Sequence, residues 1–151
     1  MSIMLNRMLQ GKQPIIYGDG KQQRCFSYID DCLYCLNALA FRDNVVGEVI
    51  NIGPDEEPIT INELAEACAN ETGLNLDPIH HKDRPKEVKL AVCSSDKARD
   101  LLGYSTATNM RQSVKKTAEY IRTRGTKKFQ YHLPLEIINE QTPDTWKKKL
   151  I

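Results

Sequence analysis

Ile15-Ile16-Tyr17-Gly18-Asp19-Gly20-Lys21-Gln22-Gln23-Arg24-Cys25-Phe26-Ser27-Tyr28-Ile29-Asp30-Asp31 carries a succession of local signals that decides the class of the fold. Ile15–Tyr17 is an apolar run that reads as a strand, and Gly18-Asp19-Gly20 reads as a hairpin turn. A second, alternating strand follows. The pattern then predicts Asp30 as the cap of a helix reaching about Phe41, with acidic charge at the positive helix end. Arg24 sits among apolar positions of the second strand. A guanidinium there is costly to bury without an anion to answer it. Its fork suits a phosphate or a carboxylate, so an ion pair with Asp30, Asp31 or Glu87 is the plain alternative to a ligand.

Working outward, strands and helices alternate. Ile3, Met4, Leu5, Met8 and Leu9 recur at helical spacing before Gly11, in the manner of the latter part of a longer helix. Val49–Ile52, bounded by Gly47 and Gly53, reads as a buried strand. Thr60-Ile61-Asn62-Glu63 is a capping-box pattern opening a helix that stops at Gly73. A short strand at Pro78–His81 leads into the Arg84-Pro85 loop, and another is expected at Leu90–Val92. Ser94 or Ser95 caps a helix ending at Gly103. Thr108 or Asn109 caps a longer one ending near Gly125. The domain proper is therefore read as 1–125. From 126 to 151 the apolar residues lose their period and the end turns basic, which reads as a docking tail.

Composition narrows the function. The chain has 151 residues, 27% of them charged, and a formal net charge of +1. Whole-chain electrostatics thus favour neither nucleic acid nor an acidic surface. No apolar run approaches the roughly 20 residues that span a bilayer, and no signal-peptide pattern opens the chain. Five cysteines in irregular spacing fit a reducing, cytoplasmic compartment. Cys32 and Cys35 form a C-x-x-C inside a helical pattern with no second pair, so core packing is expected rather than zinc. His80, His81 and His132 show no metal spacing, and neighbours on a strand point to opposite faces. The N-x-T at Asn70 is not expected to be glycosylated in that compartment.

The pattern I-Y-G-D-G-x-Q-x-R-x-F-x-Y-I-D-D resembles the nucleotide-sugar-binding half of the extended short-chain dehydrogenase/reductases. These include the UDP-glucose 4-epimerases, nucleotide-sugar dehydratases and UDP-glucuronate decarboxylases. The likeness continues through Asn51-Ile52-Gly53, Glu57–Ala65, Asp83-Arg84-Pro85-Lys86-Glu87-Val88, Ser95-Asp96-Lys97-Ala98 and Leu101–Tyr104. It covers residues 1 to about 125 in one continuous order. The resemblance implies an α/β fold: a small mixed-sheet substrate-binding domain whose Rossmann half is absent. No G-x-G-x-x-G or G-x-x-G-x-x-G occurs. Tyr17 and Lys21 satisfy Y-x-x-x-K, but two intervening glycines make the helix that this chemistry needs improbable.

The resemblance also implies roles. Arg24 would contact the diphosphate or ribose of a UDP-sugar, Arg84 would grip the diphosphate, and Glu87 would orient the ribose or Arg84. Ile15 and Tyr17 would meet the uracil edge, largely through backbone groups, or else be plain core. No catalytic residue is expected here. NAD would be the cofactor of the intact parent enzyme, which oxidises the sugar at C4, and none is expected for this chain alone. The expected partners are a nucleotide sugar and either a Rossmann-domain chain or a second copy, with neither nucleic acid nor membrane. Apolar surface for such docking is expected on the Ile3/Met4/Met8 face and the Val49–Ile52 strand. The rival reading is a non-catalytic binding or scaffold module descended from such an enzyme.

Overall fold

The computed structural model describes residues 1–131 and 134–149; His132 lies outside them. Their elements, in chain order, are α1 (Ser2–Met8), β1 (Ile15–Tyr17), β2 (Gln23–Arg24), α2 (Ile29–Phe41), β3 (Ile59–Thr60), α3 (Ile61–Thr72), β4 (Ile79–His81), β5 (Leu90–Ala91), α4 (Asp96–Leu102), α5 (Met110–Arg124) and α6 (Asp144–Lys147). They form two compact units that interleave along the chain. The first comprises Met1–Gln22, Thr60–Lys89 and the residues from Val114 onward; the second comprises Gln23–Ile59 and Leu90–Ser113. The α/β class expected from the sequence is the one observed, its strands divided between a two-stranded and a three-stranded sheet.

In the first unit α1 packs on α3. Met4, Leu5 and Met8 are buried, as are Leu64, Ala65, Cys68 and Ala69 of α3. Small residues on α3 leave room for the longer side chains of α1, and each fully buried leucine contributes about 1.5–3 kcal/mol. This corrects the expected apolar face: Met4 and Met8 point into the core and only Ile3, 62% exposed, does not. The helix α3 starts as its sequence predicts. Glu63 N–H donates to Thr60 Oγ1 at 3.1 Å and Thr60 N–H donates to Glu63 Oε2 at 2.7 Å. It ends at Gly73, whose φ of 72° is left-handed.

The hairpin expected at Gly18-Asp19-Gly20 does not form. β1 pairs in parallel with β4, Ile15 opposite Ile79 and Tyr17 opposite His81. β2 pairs in parallel with β5 instead. A two-residue hairpin favours consecutive left-handed residues. Here positive φ falls on Gly18 (64°) and Gly20 (71°), with Asp19 between them. The turn therefore sends the chain into the second unit rather than back along β1.

The second unit has its own core of Cys35, Ala38, Val45, Ala98, Leu102 and Tyr104. Cys35 is thus the core residue expected of it, Cys32 is half-buried, and neither is in a disulfide. Val49–Ile52 is not a strand. Ile50 and Ile52 pack on the core while Val49 is exposed, so the run is anchored by its side chains and joins no ladder. Asp30 is not the cap of α2 either. Tyr28 holds the N-cap position without a side-chain bond, and Asp30 lies in the first turn. Its neighbour Asp31 instead accepts the N–H of Ala107 and Thr108 and the Thr108 hydroxyl at 2.8–3.2 Å. At α5, Asn109 and Gln112 exchange reciprocal side-chain-to-N–H bonds of 3.0 Å, a second capping box. Among the described residues no helix is long and apolar enough to cross a membrane.

Candidate functional site

Parallel pairing with β4 sets Tyr17 beside His81, their rings 6.4 Å apart. The loop leaving β4 then folds back. Glu87 N–H donates to the Arg84 carbonyl at 3.2 Å, with Pro85 and Lys86 at the centre of the turn. Pro85 presets the first φ, and Lys86 takes a φ of 58° where glycine or asparagine is usual. This turn places Arg84 Nε 2.6 Å from Glu87 Oε2. Glu87 is the enclosed partner, its side chain 6% exposed against 40% for Arg84. The guanidinium also lies 4.8 Å above the Tyr17 ring, a cation–π contact.

Arg84 is therefore held on two sides. Its two terminal nitrogens have no hydrogen-bond partner among the described residues. They belong to a cavity of about 470 Å³ whose lining includes Tyr17, His80, His81, Arg84, Thr145 and Lys148. The tail closes one side. Thr145, fully buried, shares a hydrogen bond with the Tyr17 hydroxyl. Such a fork, oriented by a carboxylate and a ring, is suited to an anion with two acceptor oxygens.

The glycine turn beside this cavity is filled from within the chain. Gly18 N–H donates to the His81 carbonyl at 2.8 Å, and His80 Nδ1 meets the Gly18 carbonyl at 2.8 Å. A Cβ on Gly18 would collide with the Asp83 carboxylate, and one on Gly20 with the Asn62 side chain. Asn62 also donates to the Asp19 carbonyl at 2.9 Å. A dinucleotide pyrophosphate needs the space over such glycines and N–H groups facing it. Here a carboxylate and an amide occupy that space, so the turn does not fit NAD.

Of the site residues read from the sequence, Tyr17, Arg84 and Glu87 come together in the first unit. Ile15 is on the same strand as Tyr17, half-buried, and opposite Ile79. Arg24 belongs to the second unit, on β2, where Nη1 donates to the Gln23 carbonyl at 2.6 Å. His80, His81 and Thr145 were not anticipated at the site. No local signal marks them, because strand pairing and the return of the tail place them there. Among the described residues no group of histidine, cysteine and carboxylate side chains could hold a metal.

A second arginine also escaped sequence reading. Arg99, on α4, bonds the carboxylates of Asp55, Glu56 and Asp96. Arg99 and the Ser95 N–H together hold the Asp55 carboxyl down at about 2. This cluster borders a cavity of about 550 Å³ in the second unit, lined in part by Phe26, Glu56, Arg99 and Tyr104.

Residues 1–117 match the family described as GDP-mannose 4,6 dehydratase. A UDP-N-acetyl-alpha-D-glucosaminuronate decarboxylase of Bacillus cytotoxicus is 31% identical over 76% of this chain and 37% of its own length. The UDP-glucuronic acid 4-epimerase of Bacillus cereus, solved with UDP-glucuronic acid and NAD, superposes with a TM-score of 0.74 at 32% identity. That match covers 81% of this chain and 39% of the enzyme. The UDP-glucose 4-epimerase of Thermotoga maritima, solved with UDP-glucose, gives 0.72 at 31% identity over 81% and 38%. The chain thus spans less than two fifths of these relatives. Over that span the likeness in sequence agrees with the likeness in fold, and the chain belongs to the GDP-mannose 4,6 dehydratase family, among the extended short-chain dehydrogenase/reductases that include nucleotide-sugar epimerases and dehydratases.

Proposed function

We propose that this chain binds the nucleotide-diphosphate part of a nucleotide sugar, a UDP-sugar, as the C-terminal part of an NAD-dependent epimerase or dehydratase. The observation that carries the reading is Arg84, oriented by Glu87 and by the Tyr17 ring, with its terminal nitrogens unbonded among the described residues at the cavity. Its role is to position: holding the diphosphate fixes where the sugar lies. Arg24, in the second unit, is a further candidate contact for the diphosphate or ribose, and Ile15 a backbone contact for the base. UDP-glucuronate decarboxylase and nucleotide-sugar 4,6-dehydratase are alternative parent activities. NAD chemistry belongs to the parent enzyme; the isolated chain is expected to be inactive.

Partner binding completes the reading. On α2, Ile29, Leu33 and Leu36 are 50–56% exposed at helical spacing, a stripe suited to a dinucleotide-binding domain or a second copy. A scaffold module is the rival, and it has no need of an oriented guanidinium.

The test is a backbone-amide NMR titration with UDP and, separately, NAD. UDP should shift Tyr17, Gly18 and His81–Glu87, Arg84→Ala should abolish those shifts, and NAD should cause none. A folded chain whose spectrum ignores UDP would sink the proposal, and a partner protein bound without nucleotide would favour the scaffold.

A further inference from the structure

On a part of the first unit that shares no residue with the Arg84 cavity, α1 and the start of the tail enclose a cavity of about 500 Å³. Its lining includes Arg7, Lys12, Arg124, Lys127, Lys128 and Phe129, with no carboxylate among the lining residues. In a chain whose net charge is +1, that segregation is not a consequence of composition. Among the described residues none of the five cations has a carboxylate within ion-pair distance. Arg7 Nε donates to the Gln13 carbonyl at 3.1 Å, and Arg124 lies 5.3 Å over the Tyr120 ring. Both contacts orient a guanidinium without neutralising it.

The cavity is built rather than incidental. Asn6 donates to the Lys127 carbonyl at 2.7 Å and accepts the Lys127 N–H at 2.9 Å, while Gln10 donates to the same carbonyl at 3.0 Å. The amide side chains of Asn6, on α1, and Gln10, just beyond it, therefore pin the tail backbone at the point where Lys127 and Lys128 enter the lining. Next to them Phe129, 53% exposed, packs edge-on against Tyr131 with ring centres 4.7 Å apart. A fixed, half-exposed ring beside unneutralised cations fits a ligand with a flat apolar body and an anionic end. A bare anion would leave the ring uncovered.

We propose that this cavity is a second ligand site, taking a phosphate-bearing small molecule with an aromatic body, a nucleoside phosphate in class. Phosphate oxygens would accept from Arg124, Lys127 and Lys128, and the base would lie against Phe129. The volume lies within the range of small-molecule sites. The tail half of the cavity lies beyond residue 117, where the family match ends.

The full chain is titrated with ADP and, in parallel, with inorganic pyrophosphate and a short single-stranded oligonucleotide, reading backbone amides. ADP should give saturable shifts at Asn6, Gln10 and Lys127–Gln130, with pyrophosphate at least several-fold weaker. Lys128→Glu should weaken ADP about tenfold or more, and Phe129→Ala should bring ADP down to the pyrophosphate level. Arg84→Ala should leave these shifts in place, which separates failure here from failure at the Arg84 cavity. Absence of saturation, loss of the shifts in Arg84→Ala, or pyrophosphate matching ADP would overturn the proposal. So would an oligonucleotide binding more tightly than ADP, which would mark a nucleic-acid surface. An unchanged dispersed spectrum for each variant shows that it has folded.

Discussion

Arg84 and Arg99 are both fixed by carboxylates, yet they are finished differently. Arg99 is met by Asp55, Glu56 and Asp96, three carboxylates from two stretches of the second unit. Its charge is answered within the chain, and its effect is to fasten the 55–56 segment to the start of α4. Arg84 has one carboxylate and one ring face, which orient it and, among the described residues, leave its remaining donors unused. A guanidinium whose donors are consumed is a staple; one held in place with donors to spare is prepared for an anion. The difference lies in the stoichiometry of partners, and no single-residue feature of the sequence records it.

The comparison breaks most readily at Arg84. Arg84→Lys keeps the charge but loses the fork, and UDP affinity should fall by about ten- to a hundred-fold, at roughly 1.5–3 kcal/mol per charge-assisted bond. Calorimetric titration reads this, and an unchanged affinity would place Arg84 with the staples. Arg99→Met should do the reverse, lowering the melting temperature while UDP binding in the first unit persists; a loss of affinity with stability intact would invert the assignment. Acid sharpens the contrast. Asp55 is depressed to about 2 by Arg99 and the Ser95 N–H, below the roughly 3.9 of an unfolded aspartate. Its contribution is therefore complete above about pH 4 and disappears as pH falls through about 2. Circular dichroism of Asp55→Asn should show a flatter acid limb than the parent. The smallest effect is expected at Lys86. Relief of its left-handed φ in Lys86→Gly should stabilise by up to about 1 kcal/mol in urea unfolding, with Lys86→Val destabilising.

Much of the fold was legible wherever the determinant is local. Thr60 with Glu63, and the stops at Gly73 and Gly103, act within one turn of the helices they bound, so they read directly. The motif residues Tyr17, Arg84 and Glu87 were legible through resemblance, and the structure brings them together. Pairings were not legible. β1 meets a strand more than sixty residues away, and short parallel strands carry no turn signal between them. The expected hairpin failed for that reason. The start of α4 was legible too, with Ser95 at its N-cap and Ser94 Oγ accepting the Asp96 N–H at 3.1 Å, but nothing local told that the Ser95 hydroxyl donates to the Gly53 carbonyl at 2.5 Å. Thr145 gave no signal at all, being a polar residue in a basic tail that becomes fully buried under Tyr17.

The interleaving of the two units has a consequence for how the chain is made. During synthesis β1 emerges before β4 and must wait for it, and the first unit is not closed until Thr145 reaches Tyr17. The second unit is likewise incomplete until Leu90–Ser113 has followed. Neither can be finished until the ribosome has passed Ser113. Such non-local closure is slow and leaves Leu5, Met8 and Leu64 uncovered in the nascent chain. Folding yield should therefore depend on elongation rate and chaperone supply.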